Sequence, residues 1–413
     1  ARLPIPPPPR GANERIIALP QSLSTDRPSA PRRNKIELMR TLTWVDTPAA
    51  LKQAISESKG AERVALDAEM DSYFVYKTKL CLVQMSVEDR DYLIDPLSLS
   101  DLTPLNDLTE NPDIIKVFHA GENDVPYFRS RDVKFNNIFD THIAAKFLEL
   151  STKSLGGLVE LYFDVALPKD QSRADWRVRP LPEEQVEYAR QDTQYLCPLA
   201  EKLWDELKEA DAAKEARQTF AGLEELDLRV KEFDPDGWAR IKGSKELSPS
   251  HRAVLKELFA CRERLAEKED LALFRIAHNG ALLGLARKRF QTVEQLKGWA
   301  KSPALKKNAG VLLEAMEKGR QTGPIPFPSP RGRHGKDWSK EDEKVFEVLR
   351  KWRNEESEKR GVEPSRIFSN RQLKNVARER PKDSKSLAKV DGLEPWKLEE
   401  YGAEVVRLVS AVN

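Results

Sequence analysis

The chain has 413 residues, more than one ordinary domain needs, and length alone points to two or three domains. Charged residues make up 33% and the mean hydropathy is −0.60. No apolar run approaches the roughly 18 residues of a membrane span, so a soluble protein with no membrane partner is expected. Three widely spaced cysteines, Cys81, Cys197 and Cys261, form neither a disulfide framework nor a thiolate zinc pattern, and they favour a reducing, cytoplasmic setting.

Residues 1–40 are rich in Pro, Arg, Ser and Asn and read as a tail; the Pro6–Pro9 run also breaks any secretory apolar core. A globular pattern starts at Thr41. Asp46-Thr47-Pro48 is a helix start, and apolar residues at helical spacing follow it. Four strand-like runs come next: RVALDAEM (63–70), LCLVQMSV (80–87), DYLIDP (91–96) and IIKVFHA (114–120). Helical patterns then dominate from DTHIAAKFLEL to QVEYARQDTQYLCPLAEKLWDELKEA, which suggests a mixed sheet covered by helices over residues 41–230.

After a Gly/Pro/Asp/Ser-rich connector the pattern is helical only, with boundaries expected at 245–322 and 338–413 and a Pro/Gly/Arg linker at 323–337. Residues 254–287 align without a gap onto 345–378, with about a third of positions identical, the mark of a duplicated module. Arg262 matches Arg353, Arg275-Ile276 matches Arg366-Ile367, and Ala286-Arg287 matches Ala377-Arg378. Charge is divided as well. Residues 61–210 carry a net of −12 and the remainder a net of +14, the pattern of an anionic centre between basic segments that suit nucleic acid.

RVALDAEMDS raises the chemical question. In a strand Asp67 and Glu69 point to one face, so two carboxylates stand together at the end of a core strand. Either the chain turns to solvent there, or a cation sits between them. Asp124, in KVFHAGENDVPYF, lies just past a second buried strand; Tyr188 and Asp192, in EYARQDTQYL, share one face of a helix. Four acids able to converge make a hard, oxygen-rich site suited to Mg²⁺ or Mn²⁺. Two such ions about 3.5–4 Å apart would clamp a phosphodiester.

The order Asp-x-Glu, Asp, Tyr-x-x-x-Asp resembles the tyrosine subgroup of the DEDD superfamily of 3′→5′ exonucleases, and within it the ribonuclease D family. LDAEMDSYFVYKTKLCLVQMSVEDRDYLIDPL, FHAGENDV and DWRVRPLPEEQVEYARQDTQYL are similar to that family's three motifs, and the duplicated segments are similar to HRDC domains. The resemblance implies an α+β fold: an RNase H-like exonuclease domain followed by two small all-α HRDC bundles. It implies a monomeric, metal-dependent exoribonuclease that releases 5′-mononucleotides and trims the 3′ ends of tRNA precursors and other small structured RNAs. Carried onto this chain, it makes Asp67, Glu69, Asp124 and Asp192 the ligands of a two-ion site and Tyr188 the residue that orients the attacking water. A DNA exonuclease and a silent RNA-binding scaffold are the other two readings; the scaffold would have lost an acid, and all four are present.

Four more residues are expected at the substrate: His119 at a strand end, Trp176 and Arg179 in ADWRVRPL, and Tyr73 after the first acidic motif. A satisfied histidine and a capped turn anchored by its tryptophan are the plainer readings of the first three. Asp140 is expected to cap a helix, and Phe128 to lie in the core.

Overall fold

A computed structural model describes residues 40–167, 171–228, 232–328 and 338–412. Arg40 apart, the expected tail lies outside the described residues, as do residues 329–337 of the expected linker.

One mixed sheet holds six strands: β1 (Thr41–Val45), β2 (Arg63–Met70), β3 (Leu80–Val87), β4 (Arg90–Ile94), β5 (Ile115–Phe118) and β6 (Ile138–Asp140). Their order is β1-β4-β3-β2-β5-β6. β2, β3 and β4 are joined antiparallel through short connections, whereas β1 with β4, β2 with β5 and β5 with β6 run parallel and need longer crossovers. The Val- and Leu-rich runs of β2 and β3 follow from cover on both faces. On one face Leu66, Ala68, Val83 and Met85 pack with the helix Pro48–Ser58 and the short helix Val125–Arg129. On the other, Ala65 and Val117 pack with the helices Thr141–Phe147, Leu196–Glu209 and Ala213–Glu224. Leu82 and Leu93 of this second face meet Ala189 of the helix Glu183–Gln194. Asp67 and Glu69 alternate with Leu66 and Ala68, so they lie under that last helix.

Local signals place the first helix as expected: the Thr47 side chain accepts from the Ala50 amide at 3.2 Å, and Pro48 occupies the first turn.

Two helical bundles follow. The first is built on Pro249–Glu269, Asn279–Arg287 and Ala309–Thr322, with Leu255, Leu258, Leu282, Leu312 and Met316 in its core. Its first and last long helices touch at Gly319, where a Cβ would come within 2.5 Å of the Val254 backbone. Trp238, Ile241 and Leu247 are also buried in this core. Part of the stretch expected as a connector is therefore the bundle's own lid, held by burial of the Trp238 ring. The second bundle uses Lys340–Arg360, Asn370–Glu379 and Pro395–Val412 around Leu349, Leu373 and Val405. Among the described residues no helix is long and apolar enough to cross a membrane. All three cysteines are free thiols.

Candidate active site

β2 and the helix Glu183–Gln194 bring the acids together. Ligand oxygens of Asp67, Glu69 and Asp192 all lie within 4.8 Å of one another. The helix is held over the sheet by polar bonds near its C-terminal end. Ser86 Oγ lies 2.7 Å from Thr193 Oγ1, and Arg190 Nε donates to Asp91 Oδ2 at 3.1 Å. Arg40 Nε donates to the other Asp91 oxygen at 2.7 Å, which pins the start of β1 to the same carboxylate.

Asp124 arrives from the β5 side on a loop folded sharply at Ala120 and Gly121. Ala120 takes a left-handed φ of 59°, and a Cβ on Gly121 would lie 2.9 Å from the Phe118 side chain. Asp140 locks this loop: its Oδ2 accepts from the Gly121 amide at 2.7 Å, and its Oδ1 caps the helix Thr141–Phe147 through Ile143 N at 2.8 Å. The expected capping role of Asp140 holds, with a second bond that the sequence does not signal. Asp124 itself is only 6% exposed, whereas Glu122 beside it faces solvent. Phe128 lies in the core as expected.

The electrostatics fit a cation site. Burial pushes the Asp67 carboxyl up to about 7, eased only by the Ala68 amide. Burial pushes Asp124 well above the usual carboxylate range, and the charges of Asp67, Asp140 and Asp192 push it further. These groups resist losing their protons together without positive charge nearby. Their donor set is entirely carboxylate oxygen, which suits a hard divalent cation.

Tyr188 lies one helical turn before Asp192, in contact with the apolar patch of Leu82, Leu93 and Trp176. Trp176 is 0% exposed with its ring 6.1 Å from that of Tyr188, so its expected role at the substrate is corrected: it is the buried backing of the tyrosine. Arg179 is corrected too. Its guanidinium grips both oxygens of Asp95, at 3.0 and 2.8 Å, and donates to the carbonyls of Cys81, Trp176 and Val178. That leaves it clamping a turn to the sheet rather than meeting a phosphate.

His119 is half-buried, with Nδ1 2.9 Å from Thr141 Oγ1 and its ring edge-on to His142. Burial, His142 and Lys146 push it down to about 4, so it is neutral at pH 7. Tyr73, four residues after Glu69, is 40% exposed and remains available at the surface.

The sequence reading missed Tyr73's neighbours. The loop 71–79 is seated on the first helical bundle: the Phe274 ring packs at a tilt against that of Tyr73, centroids 4.7 Å apart, and Arg275 Nε donates to the Tyr73 carbonyl at 2.8 Å while lying over Phe74. Tyr76 donates from its hydroxyl to Glu263 and from its amide to Asp270. No local signal could reveal partners about two hundred positions away.

Comparison with known proteins agrees with this geometry. Residues 42–208 match the 3′-5′ exonuclease domain family, and 251–309 and 342–409 match the HRDC domain. Ribonuclease D of Pseudomonas paraeruginosa is 33% identical over 249 residues, 60% of this chain and 65% of that protein. The Exosome complex component 10 homolog of Drosophila melanogaster is 39% identical over 254 residues, 59% of this chain and 28% of that protein. The chain spans only 31%, 31% and 26% of the rat, mouse and human Exosome complex component 10. In structure, Escherichia coli RNase D matches with a TM-score of 0.60 at 26% identity, covering 90% of this chain and 99% of that one. The catalytic core of RRP6 from Trypanosoma brucei matches at 0.65 and 28% identity, over 70% and 82%. The chain thus carries a 3′-5′ exonuclease domain followed by two HRDC domains, and over these domains it is similar to ribonuclease D and to the RRP6 catalytic core.

Proposed function

We propose that the protein is a metal-dependent 3′→5′ exoribonuclease that releases 5′-mononucleotides. The observation that carries this reading is the approach of Asp67, Glu69 and Asp192 within 4.8 Å, with Asp124 buried in their field. These four carboxylates would hold two divalent cations, Mg²⁺ or Mn²⁺. When bound, such ions supply Lewis-acid stabilisation of the phosphodiester's developing charge and a more acidic water. The remaining work belongs to the chain. The Tyr188 hydroxyl, stiffened by Trp176 behind it, orients the attacking water by a hydrogen bond. Tyr73 offers an exposed ring to the last bases, backed by Phe274. His119, held neutral, supplies shape and a hydrogen-bonding edge rather than charge.

Trimming of tRNA precursors and other small structured RNAs is the task we assign. Its support is the likeness to Escherichia coli RNase D, described as an exoribonuclease involved in structured RNA processing, together with the basic segments flanking the acidic domain. The free thiols are consistent with work in a reducing compartment such as the cytoplasm.

The test is a 5′-labelled RNA and its DNA twin, each with a free or a blocked 3′ end, incubated with Mn²⁺ or Mg²⁺ and with chelator. The proposal expects RNA to shorten one nucleotide at a time from the free end, and chelator to stop it. Internal cuts, or shortening that survives chelation, would overturn it. Equal decay of the DNA twin would widen the substrate class to both nucleic acids.

A further inference from the structure

Gln84 lies in the middle of β3 and is 0% exposed. Both its Oε1 and its Nε2 are buried with no hydrogen-bond partner; among the described residues no other side chain leaves two such atoms. A buried carboxamide without partners is costly, and a leucine or methionine would fill the same space without that cost. The position of Gln84 suggests why an amide stands there.

In the β2–β3 ladder Gln84 is directly opposite Asp67, and on its other side it is opposite Leu93. Opposed residues share a face, with Cβ atoms about 4.5–5.5 Å apart, so the amide lies beside the first acid. Its strand neighbours on that face fix the helix overhead. Leu82 packs into the patch with Ala189 and Tyr188, and Ser86 bonds to Thr193. The Gln84 side chain is therefore roofed by the stretch of helix between Tyr188 and Thr193, the stretch that carries Asp192. It forms the floor of the space in which Asp67 and Asp192 meet.

We propose that Gln84 is a positioning residue for the cation site: its Nε2–H groups, which make no direct bond to protein, hold the carboxylates of Asp67 and Asp192 from beneath through buried water. A carboxylate so held keeps its remaining lone pairs turned to the cation, and the donor strengthens as the carboxylate gains full charge. The amide suits this place because it donates without adding charge. A lysine there would compete with the cation, and an acid would add to a field already dense in negative charge. This rests on the cation site proposed above.

The experiment is calorimetric titration of the full chain with Mn²⁺, in the wild type and in Gln84→Leu, Gln84→Met and Asp67→Asn, with melting temperatures of the metal-free proteins. The proposal expects Gln84→Leu and Gln84→Met to melt at or above the wild-type temperature without metal, yet to bind Mn²⁺ about 10- to 100-fold more weakly. Two apolar variants of different shape guard against poor packing of either one. Wild-type Mn²⁺ affinity in whichever variant folds would overturn the role and leave Gln84 as filler. If the wild type itself shows no Mn²⁺ binding that Asp67→Asn removes, the cation site falls, and this role falls with it.

Discussion

Arg262 in the first HRDC domain and Arg353 in the second share two partners at matching positions, and Arg353 alone adds bonds to Asn354. One donates to the Ala277 carbonyl at 3.1 Å and the Asn279 side chain at 2.8 Å; the other to the Phe368 carbonyl at 3.1 Å and the Asn370 side chain at 2.7 Å. Thirteen positions later in each copy, Arg275 and Arg366 also match, and both dock their domain on the exonuclease body. The surfaces they reach are different. Arg275 grips the loop that follows Asp67 and Glu69, among the rings of Tyr73, Phe74 and Phe274. Arg366 reaches the Phe147 carbonyl and Glu215 on the covering helices, and Arg360 joins it on the same carboxylate. Around Arg366 the contact is apolar and continuous with the exonuclease core, with the Phe147 and Trp396 rings 6.3 Å apart. One duplicated docking device has thus been set to two tasks. The first copy borders the site, whereas the second braces the scaffold.

The largest break in that comparison should come at Trp396, 3% exposed at the second interface. Trp396→Ala is expected to cost about 3–5 kcal/mol in denaturant unfolding and to leave hydrolysis of short single strands unchanged at temperatures where the protein stays folded. A strong loss of activity in folded protein would mean that the second domain also serves the site.

The duplication itself is tested by Arg262→Met and Arg353→Met. Each strands a buried carbonyl and an asparagine oxygen, so each should lose about 1–3 kcal/mol, and the two losses should be similar. Very different losses would show that the shared geometry has diverged in energy.

Arg275→Ala and Arg366→Ala should separate the two tasks. Loss of a cation–π contact and a hydrogen bond at Arg275 removes roughly 0.5–2 kcal/mol of docking, read as slower trimming of structured RNA with little change in melting temperature. Arg366→Ala should lower the melting temperature and spare trimming. The reverse pattern would exchange the roles.

The smallest effect at neutral pH belongs to His119. Its folded value is lowered from 6.5 to about 4, so the stability it contributes is fully present above about 6.5 and is lost as pH falls toward 4. His119→Gln should flatten that part of a stability–pH profile and change nothing at pH 7 and above. The arginine variants of the two HRDC domains should keep the wild-type slope. An unchanged slope in His119→Gln would place the titration elsewhere.

Much of this is legible in the sequence, and the exceptions have physical reasons. Strands β2, β3, β4 and β5 announce themselves as apolar runs because they are buried on both faces. β1 and β6 lie at the two edges of the sheet, five and three residues long, and β1 is largely exposed, so their composition carries little signal. The acids converge as their spacing suggests, since strand and helix geometry alone decide which way Asp67, Glu69 and Asp192 point. Trp176 and Arg179 are misread for a tertiary reason. What decides them is burial against Tyr188 and capture by Asp95, 84 positions away, which no local pattern encodes. The unpartnered amide of Gln84 is invisible in LCLVQMSV for the same reason: only the β2–β3 register places it beside Asp67.

The central claim, that the carboxylates form one cation site driving 3′→5′ hydrolysis, is tested most directly by Asp192→Asn on a 5′-labelled RNA under saturating Mg²⁺. The substitution keeps the shape of the side chain and removes one ligand charge. The account predicts that shortening of the RNA is abolished while the melting temperature of the metal-free protein stays level or rises, because one repelling acid is gone. Shortening at near wild-type rate by folded Asp192→Asn would contradict it.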